Sequence, residues 1–252
     1  MDIPATNGHE IVIKERHLPQ ACHGRFRFLR ENDPYRRLVT NHDDDRANDS
    51  GAYDAWNDFR ADQHHSQWRE KVLQQRQRRA WPVVNVEFGY EHGPGGLEDK
   101  TYGVTQSPEE VCRRAWEICM AGGYVAYYYT YTAWDVVRPQ DTPPGYAYFR
   151  RLRDFFESTR YWELEPASDV ASAGWCLADP GKEYVVFLNQ AMPLTLKLSD
   201  AAGSLQGEWY QPFSGQRISA GRLADGEREL TPPAAWGQGP VTLHVRGAAR
   251  AD

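Results

Sequence analysis

The sequence predicts two architectures in succession: an α/β half of about four strand-and-helix pairs, then an all-β half that reads as a small antiparallel β-sandwich. Three observations carry this. From about residue 20 to residue 157, short β-rich runs alternate with helical stretches, the pattern of a parallel sheet crossed by helices. After Trp162 the text becomes short alternating runs broken by Gly, Pro, Asp and Asn, as in Leu194, Leu196 and Leu198 or in Val241, Leu243 and Val245. The joint falls at "RYWELEP", giving domain bounds of 1–160 and 161–252 in a chain of 252 residues, long enough for one large domain or two modest ones.

Taken in order, "FRFLREN" closes a first helix, "DPY" turns, and "RRLVTNH" is a first strand. "AWNDFRADQHH" is a second strand, followed by a polar helix from about Ser66 to Arg79, and "PVVNVEFGYE" is a third strand. The loop "HGPGGLEDKTYGVTQ" runs into "SPEEVCRRAWEICMAGG". There Ser107 stands as N-cap, Pro108 at the first helical position and Glu110 three residues after the cap, the pattern of a capping box. Val111, Cys112, Ala115, Trp116 and Cys119 repeat at helical spacing, and Gly122 with Gly123 stops the helix. "YVAYYYTYTAW" is a fourth strand, and "YAYFRRLRDFFEST" a last helix with Phe149, Leu152, Phe155 and Phe156 along one side.

Composition narrows the function classes. Hydrophobic residues at 40% and charged residues at 25% are ordinary for a globular protein, whereas aromatics at 13%, with 9 Trp and 14 Tyr, are plentiful. Flat aromatic side chains suit the apolar faces of sugar rings, and they equally suit a large core. A net charge of −6 argues against nucleic-acid binding, and the basic "WREKVLQQRQRRA" reads as the solvated face of one helix. No 18-residue apolar run is present, so no membrane partner is expected. "MDIPATNGHEIVIKERHLPQ" lacks the positive start and apolar block of a signal peptide, so the chain as written reads as cytoplasmic.

Cofactor and metal signals are absent from the text. Cys22, Cys112, Cys119 and Cys176 are scattered without CxxC spacing and read as packed thiols. "NHDDDRAND" lacks the EF-hand spacing and its glycine, and "GPGG" lacks the Lys-Ser/Thr end of a phosphate loop. The adjacent histidines of "DQHH" point to opposite faces of a strand, which rarely lets both reach one ion.

Strand period selects the candidate site. In "VVNVEF" alternation puts Asn85 and Glu87 on one face and Val84, Val86 and Phe88 on the other. With the apolar face against helices, Glu87 points to the opposite side; if that side is the inside of a (β/α) barrel, Glu87 stands at the C-terminal mouth, where such folds keep their chemistry. The same period places Asp58, Arg60, Asp62 and His64 together on the preceding strand. His42 ends the strand before it, and the fourth strand adds Tyr128, Thr130 and Trp134. Carboxylates among histidines, tyrosines and a tryptophan suit glycoside hydrolysis, in which one acid is the nucleophile and another donates a proton. A strand-terminal acid is also commonly a loop cap, so each of these residues has a structural alternative.

The ordered set "NDPYRRLVTNH", "DFRADQHH", "PVVNVEFGYE", "EEVCRRAWEICMAGGYVAYYYT" and "YFRRLRDFFESTRYWELEP" resembles the back half of the catalytic barrel of apiosidase-like glycoside hydrolases. The tail, from "EYVVFLNQ" through "GEWYQPFSGQ" to "PPAAWGQGPVTLHV", resembles the so-called collagen-binding domain that closes those proteins. The resemblance covers roughly residues 26 to 246. It implies a partial (β/α) barrel, the C-terminal half of a TIM barrel with strands five to eight, in which Glu87 is the nucleophile at the end of the seventh strand and Trp134 follows the eighth. Asp62 is the candidate second carboxylate; His42, His64, Tyr128, Trp134 and Glu91 are candidate substrate contacts.

One departure matters as much as the match. A full barrel takes about 250 residues, and only about 157 precede the sandwich. The family's acid/base carboxylate, carried on the fourth strand within an Asn-Glu pair, has no counterpart before Asp33. Half a barrel also leaves two sheet edges and an apolar interior uncovered. The expectation is therefore a retaining hydrolase of plant or microbial polysaccharide that is truncated or split, or that is completed by a partner chain or second copy. The alternative is a non-catalytic carbohydrate-binding or interaction protein built on the same scaffold, with Trp209 and Tyr210 as sandwich contacts unless they are buried.

Overall fold

Apolar residues at helical spacing become helices where the expectation put them, in a computed structural model that describes residues 19–42, 54–93, 105–129, 142–199 and 203–247. The helices are α1 (Pro19–Asn32), α2 (Trp68–Arg78), α3 (Pro108–Cys119) and α4 (Pro144–Glu157). Ser107 caps α3, its hydroxyl accepting the Glu110 N–H at 3.2 Å. The other half of the expected capping box is replaced: the Glu110 carboxylate turns to Arg113 and Arg114. Gly122, with φ +77°, ends the helix in the left-handed conformation, and its N–H bonds back to Cys119 O at 2.8 Å.

The α/β half holds three parallel strands, β1 (Arg60–Asp62), β2 (Val83–Asn85) and β3 (Tyr124–Val125), side by side in chain order. His42 adds a parallel bridge to Ala61, so four successive segments are neighbours. The sheet is open, and its strands are far shorter than the runs that suggested them. Side chains take over the positions that longer ladders would fill. Thr40 Oγ accepts the Ala61 N–H and donates to Phe59 O, Asp58 accepts the Val39 N–H, and Asn57 accepts the Asn41 N–H.

The β half follows the alternation more fully. Strands β4 (Glu165–Pro166), β5 (Trp175–Asp179), β6 (Glu183–Leu188), β7 (Leu194–Leu198), β8 (Leu205–Tyr210), β9 (Arg217–Leu223), β10 (Gly226–Leu230) and β11 (Val241–Gly247) pair antiparallel throughout. Six form one sheet in the order β4-β5-β6-β11-β8-β9, and β7 pairs with β10 above it. Leu194, Leu196 and Leu198 pack with Tyr184, Val186, Leu243 and Val245 between these layers.

The other face of the six-stranded sheet is covered by α3 and α4. Trp116 lies 5.2 Å from Phe187 with rings nearly parallel, 5.1 Å from both Phe155 and Phe156, and 6.3 Å from Tyr210. Because both faces are covered, every residue of β6 is buried, and after Glu183 the run "YVVFL" carries no charged side chain on either face. One buried cluster thus runs from Val83 and Phe88 through Trp116 to Leu177, Val185 and Phe187, across the sequence joint at residue 160. Trp209 and Tyr210 are both 3% exposed, one in each core, so neither can act as a surface contact. Cys112, Cys119 and Cys176 are free and buried, and burial pushes the Cys119 and Cys176 thiols up to about 12. No helix of the described residues is long and apolar enough to cross a membrane.

A hydrogen-bonded carboxylate and imidazole are sealed beside that interface. Glu183 on β6 meets His244 Nε2 at 2.6 Å and accepts the Arg160 N–H at 3.0 Å. Burial pushes the Glu183 carboxyl up, but His244 and the Arg160 N–H outweigh it and hold it below its ordinary value of 4.5. A carboxyl whose folded pKa is depressed contributes stability that is full above 4.5 and lost as pH falls through the folded value. The thermal midpoint should therefore drop steeply in acid, and Glu183→Gln should flatten that fall in a pH series of melts. Trp116→Ala should cost about 3–5 kcal/mol in urea unfolding, because the cavity opens where both halves meet.

Candidate active site

The direction of Glu87 is set at the end of β2. Asn85 is fully buried, its Nδ2 donating to Asp62 Oδ2 at 2.9 Å and to His64 O at 3.2 Å, while its Oδ1 accepts the Glu87 N–H at 3.0 Å. The amide thereby holds the end of β1 and the backbone of Glu87 at once. The expected face assignment fails beyond Asn85. Val83 and Phe88, an odd spacing apart, share one core, so strand alternation does not run through Val86.

Glu87 is mostly covered, with 22% of its side chain exposed. Its Oε2 lies 3.4 Å from His42 Nε2 and accepts a hydrogen bond from Gln63 Nε2; its Oε1 accepts the Tyr90 O–H. These partners lie past the C-terminal ends of adjacent parallel segments. Burial raises the Glu87 carboxyl, but the adjacent His42, the Tyr90 O–H and the nearby His65 outweigh it, so the net shift is downward from 4.5. The group is a partly open carboxylate, ionised at neutral pH.

Asp62 is corrected from an open second carboxylate. It is fully buried, with Oδ1 held by His64 Nδ1 at 2.5 Å and Oδ2 held by Asn85. His64, 3% exposed, is its support rather than a surface contact. Asp58 stands at the opposite end of β1, bound to Arg30 at 2.9 Å and to the Val39 N–H at 2.8 Å.

Glu91 is likewise corrected from a substrate contact, since it is 1% exposed. It accepts the Tyr127 O–H at 2.6 Å and the Gly145 N–H, in the first turn of α4, at 3.3 Å. A Cβ on Gly145 would fall 1.9 Å from Glu91 Oε2, which is why glycine follows Pro144 in the first turn. Glu91 anchors α4, and burial leaves its carboxyl above its ordinary value despite these donors.

His42 is therefore brought to Glu87, and Tyr128 stands one ring further out, edge-on to Tyr90 at 5.5 Å. Trp134, Thr130 and Asp43 to Asp45 lie outside the described residues. Sequence reasoning passed over Gln63 and Tyr90. Gln63 belongs to the wrong face if β1 is extended past Asp62, and Tyr90 sits in irregular chain without a periodic signal. Among the described residues no group of three or more His, Cys, Asp or Glu is placed to hold a metal ion.

Comparison with known proteins shows which solved structures share this fold. The chain shares its fold with a glycoside hydrolase at TM-score 0.66 and 19% identity, over 85% of this chain and 58% of that one. It also shares it with a family 5 glycoside hydrolase from Bacteroides vulgatus ATCC 8482 at TM-score 0.70 and 17% identity, over 90% and 58%. The chain thus spans about 58% of the length of each of these solved structures. No curated protein matches it. Within the glycoside hydrolase-like class, the chain belongs to the apiosidase-like, catalytic domain family, whose model matches residues 14–195.

The site makes one prediction of its own. Tyr90→Phe removes an O–H donor from the Glu87 carboxylate, so that carboxyl should titrate at higher pH in NMR of the labelled glutamate. An unmoved titration would show that Tyr90 does not hold it.

Proposed function

We propose that this chain is the back half of a retaining glycoside hydrolase barrel, residues 1–160 with strands five to eight, joined to an accessory β-sandwich, residues 161–252. Its substrate class is plant or microbial polysaccharide. The observation that carries the reading is the state of Glu87: a partly open, ionised carboxylate beyond the ends of parallel strands, oriented by His42, Gln63 and Tyr90. In this role a Glu87 oxygen attacks the anomeric carbon, the glycosidic C–O bond breaks, and the departing oxygen takes the bonding pair. His42, Gln63 and Tyr90 are positioning residues in that step.

The usual proton donor is a second carboxyl about 5–5.5 Å from the nucleophile. Asp62 and Glu91, buried and hydrogen-bonded, do not fit that role. The reading therefore assigns the donor to chain beyond these described strands, in a front half or a partner that completes the barrel. The same burial favours a second reading, a carbohydrate-binding protein that retains the scaffold without turnover.

Labelling separates the two readings. A 2-deoxy-2-fluoro glycoside with a dinitrophenolate leaving group departs without a proton donor, so the nucleophile alone should suffice. We expect the peptide containing Glu87 to gain the mass of the fluorosugar, and Glu87→Gln to abolish that gain. Label on another residue removes Glu87 from the nucleophile role, and no label across a panel of such sugars supports the binding reading.

A further inference from the structure

We infer that the β half carries a second carbohydrate site, apart from Glu87, which takes a neutral polysaccharide. It rests on the packing of the sandwich and shares only its ligand class with the function proposed above. The turn between β8 and β9 and the 3-10 turn before β11 border a shallow, open depression of about 320 Å³ lined by Gln211, Phe213, Ser214, Gln216 and Trp236. That volume is at the lower end for small-ligand pockets, which span about 300–1,000 Å³.

The lining is built rather than incidental. Trp236 leans on the sandwich core and donates its indole N–H to Gln216 Oε1 at 3.0 Å. Gln211 accepts the Ser214 N–H through its side chain at 2.5 Å and bonds Gln216 and Gly215 through its backbone at 2.9 and 2.8 Å. The turn is clamped to α4, where Arg151 donates to Phe213 O and Tyr148 meets the Phe213 ring at 5.1 Å. Fixed aromatic side chains lose little freedom on binding, which favours weak, repeated contacts such as those along a polysaccharide.

The chemistry of the lining selects the ligand. Two aromatic side chains offer faces for the C–H surface of a pyranose ring, and two amides with a hydroxyl both donate to and accept from sugar hydroxyls. None of the five lining residues is charged. The neighbouring cations are engaged elsewhere, Arg151 on Phe213 O and Arg217 on Glu208. An acidic polymer therefore finds no free counter-charge in the lining.

Affinity electrophoresis of the full chain tests this, in gels carrying xyloglucan, arabinoxylan, mixed-linkage β-glucan or polygalacturonate. A collagen-like (Gly-Pro-Hyp) peptide is titrated separately. We expect retardation by at least one neutral polysaccharide, weakened about fivefold or more by Trp236→Ala and by Gln216→Ala. Gln216→Ala keeps the ring and the turn backbone, so it decides the matter if Trp236→Ala fails to fold. Retardation by no neutral polymer, insensitivity to Gln216→Ala, or binding confined to polygalacturonate or the peptide overturns the inference. Fluorosugar labelling of Glu87 does not depend on Trp236, so the two proposals fail separately.

Discussion

The stacking of Trp116 on Phe187 is the constraint on which the rest of the structure depends. α3 and α4 have wide apolar stripes, and the six-stranded sheet has a second apolar face; neither is stable in water uncovered. Joining them buries both. The same cluster reaches Val83 and Phe88, on either side of the segment that carries Glu87, with Phe88 6.2 Å from Phe149 of α4. The position of the candidate carboxylate is thus set by helices that are themselves held by the β half. The family match likewise runs past the sequence joint into β7.

Beneath Glu87 the packing is polar. Asp62, His64 and Asn85 form a buried, hydrogen-bonded group, and in a low-dielectric interior such a group favours one arrangement because each alternative strands a donor or acceptor. Asn85 turns that rigidity into direction, since its carbonyl holds the Glu87 N–H. Charge is governed separately. The downward shift at Glu87 comes from donors above the polar group, whereas Glu91, with fewer opposing contacts, is shifted upward by its burial. Two glutamates four residues apart therefore serve different ends, one partly open and ionised, the other fixing the start of a helix.

The α/β half is an open layer of short parallel strands. Phe28, Tyr35 and Leu38 are exposed on α1 and the segment after it, next to the side where the strand order begins. Solved glycoside hydrolases with this fold are longer, and this chain spans 58% of the first and 58% of the Bacteroides vulgatus protein.

The sequence by itself determined what is local. α3 was readable from Ser107, Pro108 and a 3.6-residue apolar period, and β7 and β11 from strict alternation, because caps and periodicity act within one turn or one strand. Glu87 was readable as a polar break at the end of an apolar run. Strand lengths in the α/β half were not, because Thr40, Asn57 and Asp58 satisfy backbone groups from other segments. The roles of Asp62 and Glu91 were decided only by tertiary burial, as were those of Trp209 and Tyr210. The partners of Glu87 come from three separate stretches of chain, at His42, Gln63 and Tyr90. No pattern within one stretch encodes such a meeting; it exists because parallel strands, packed against common helices, bring distant loops to the same end of the sheet.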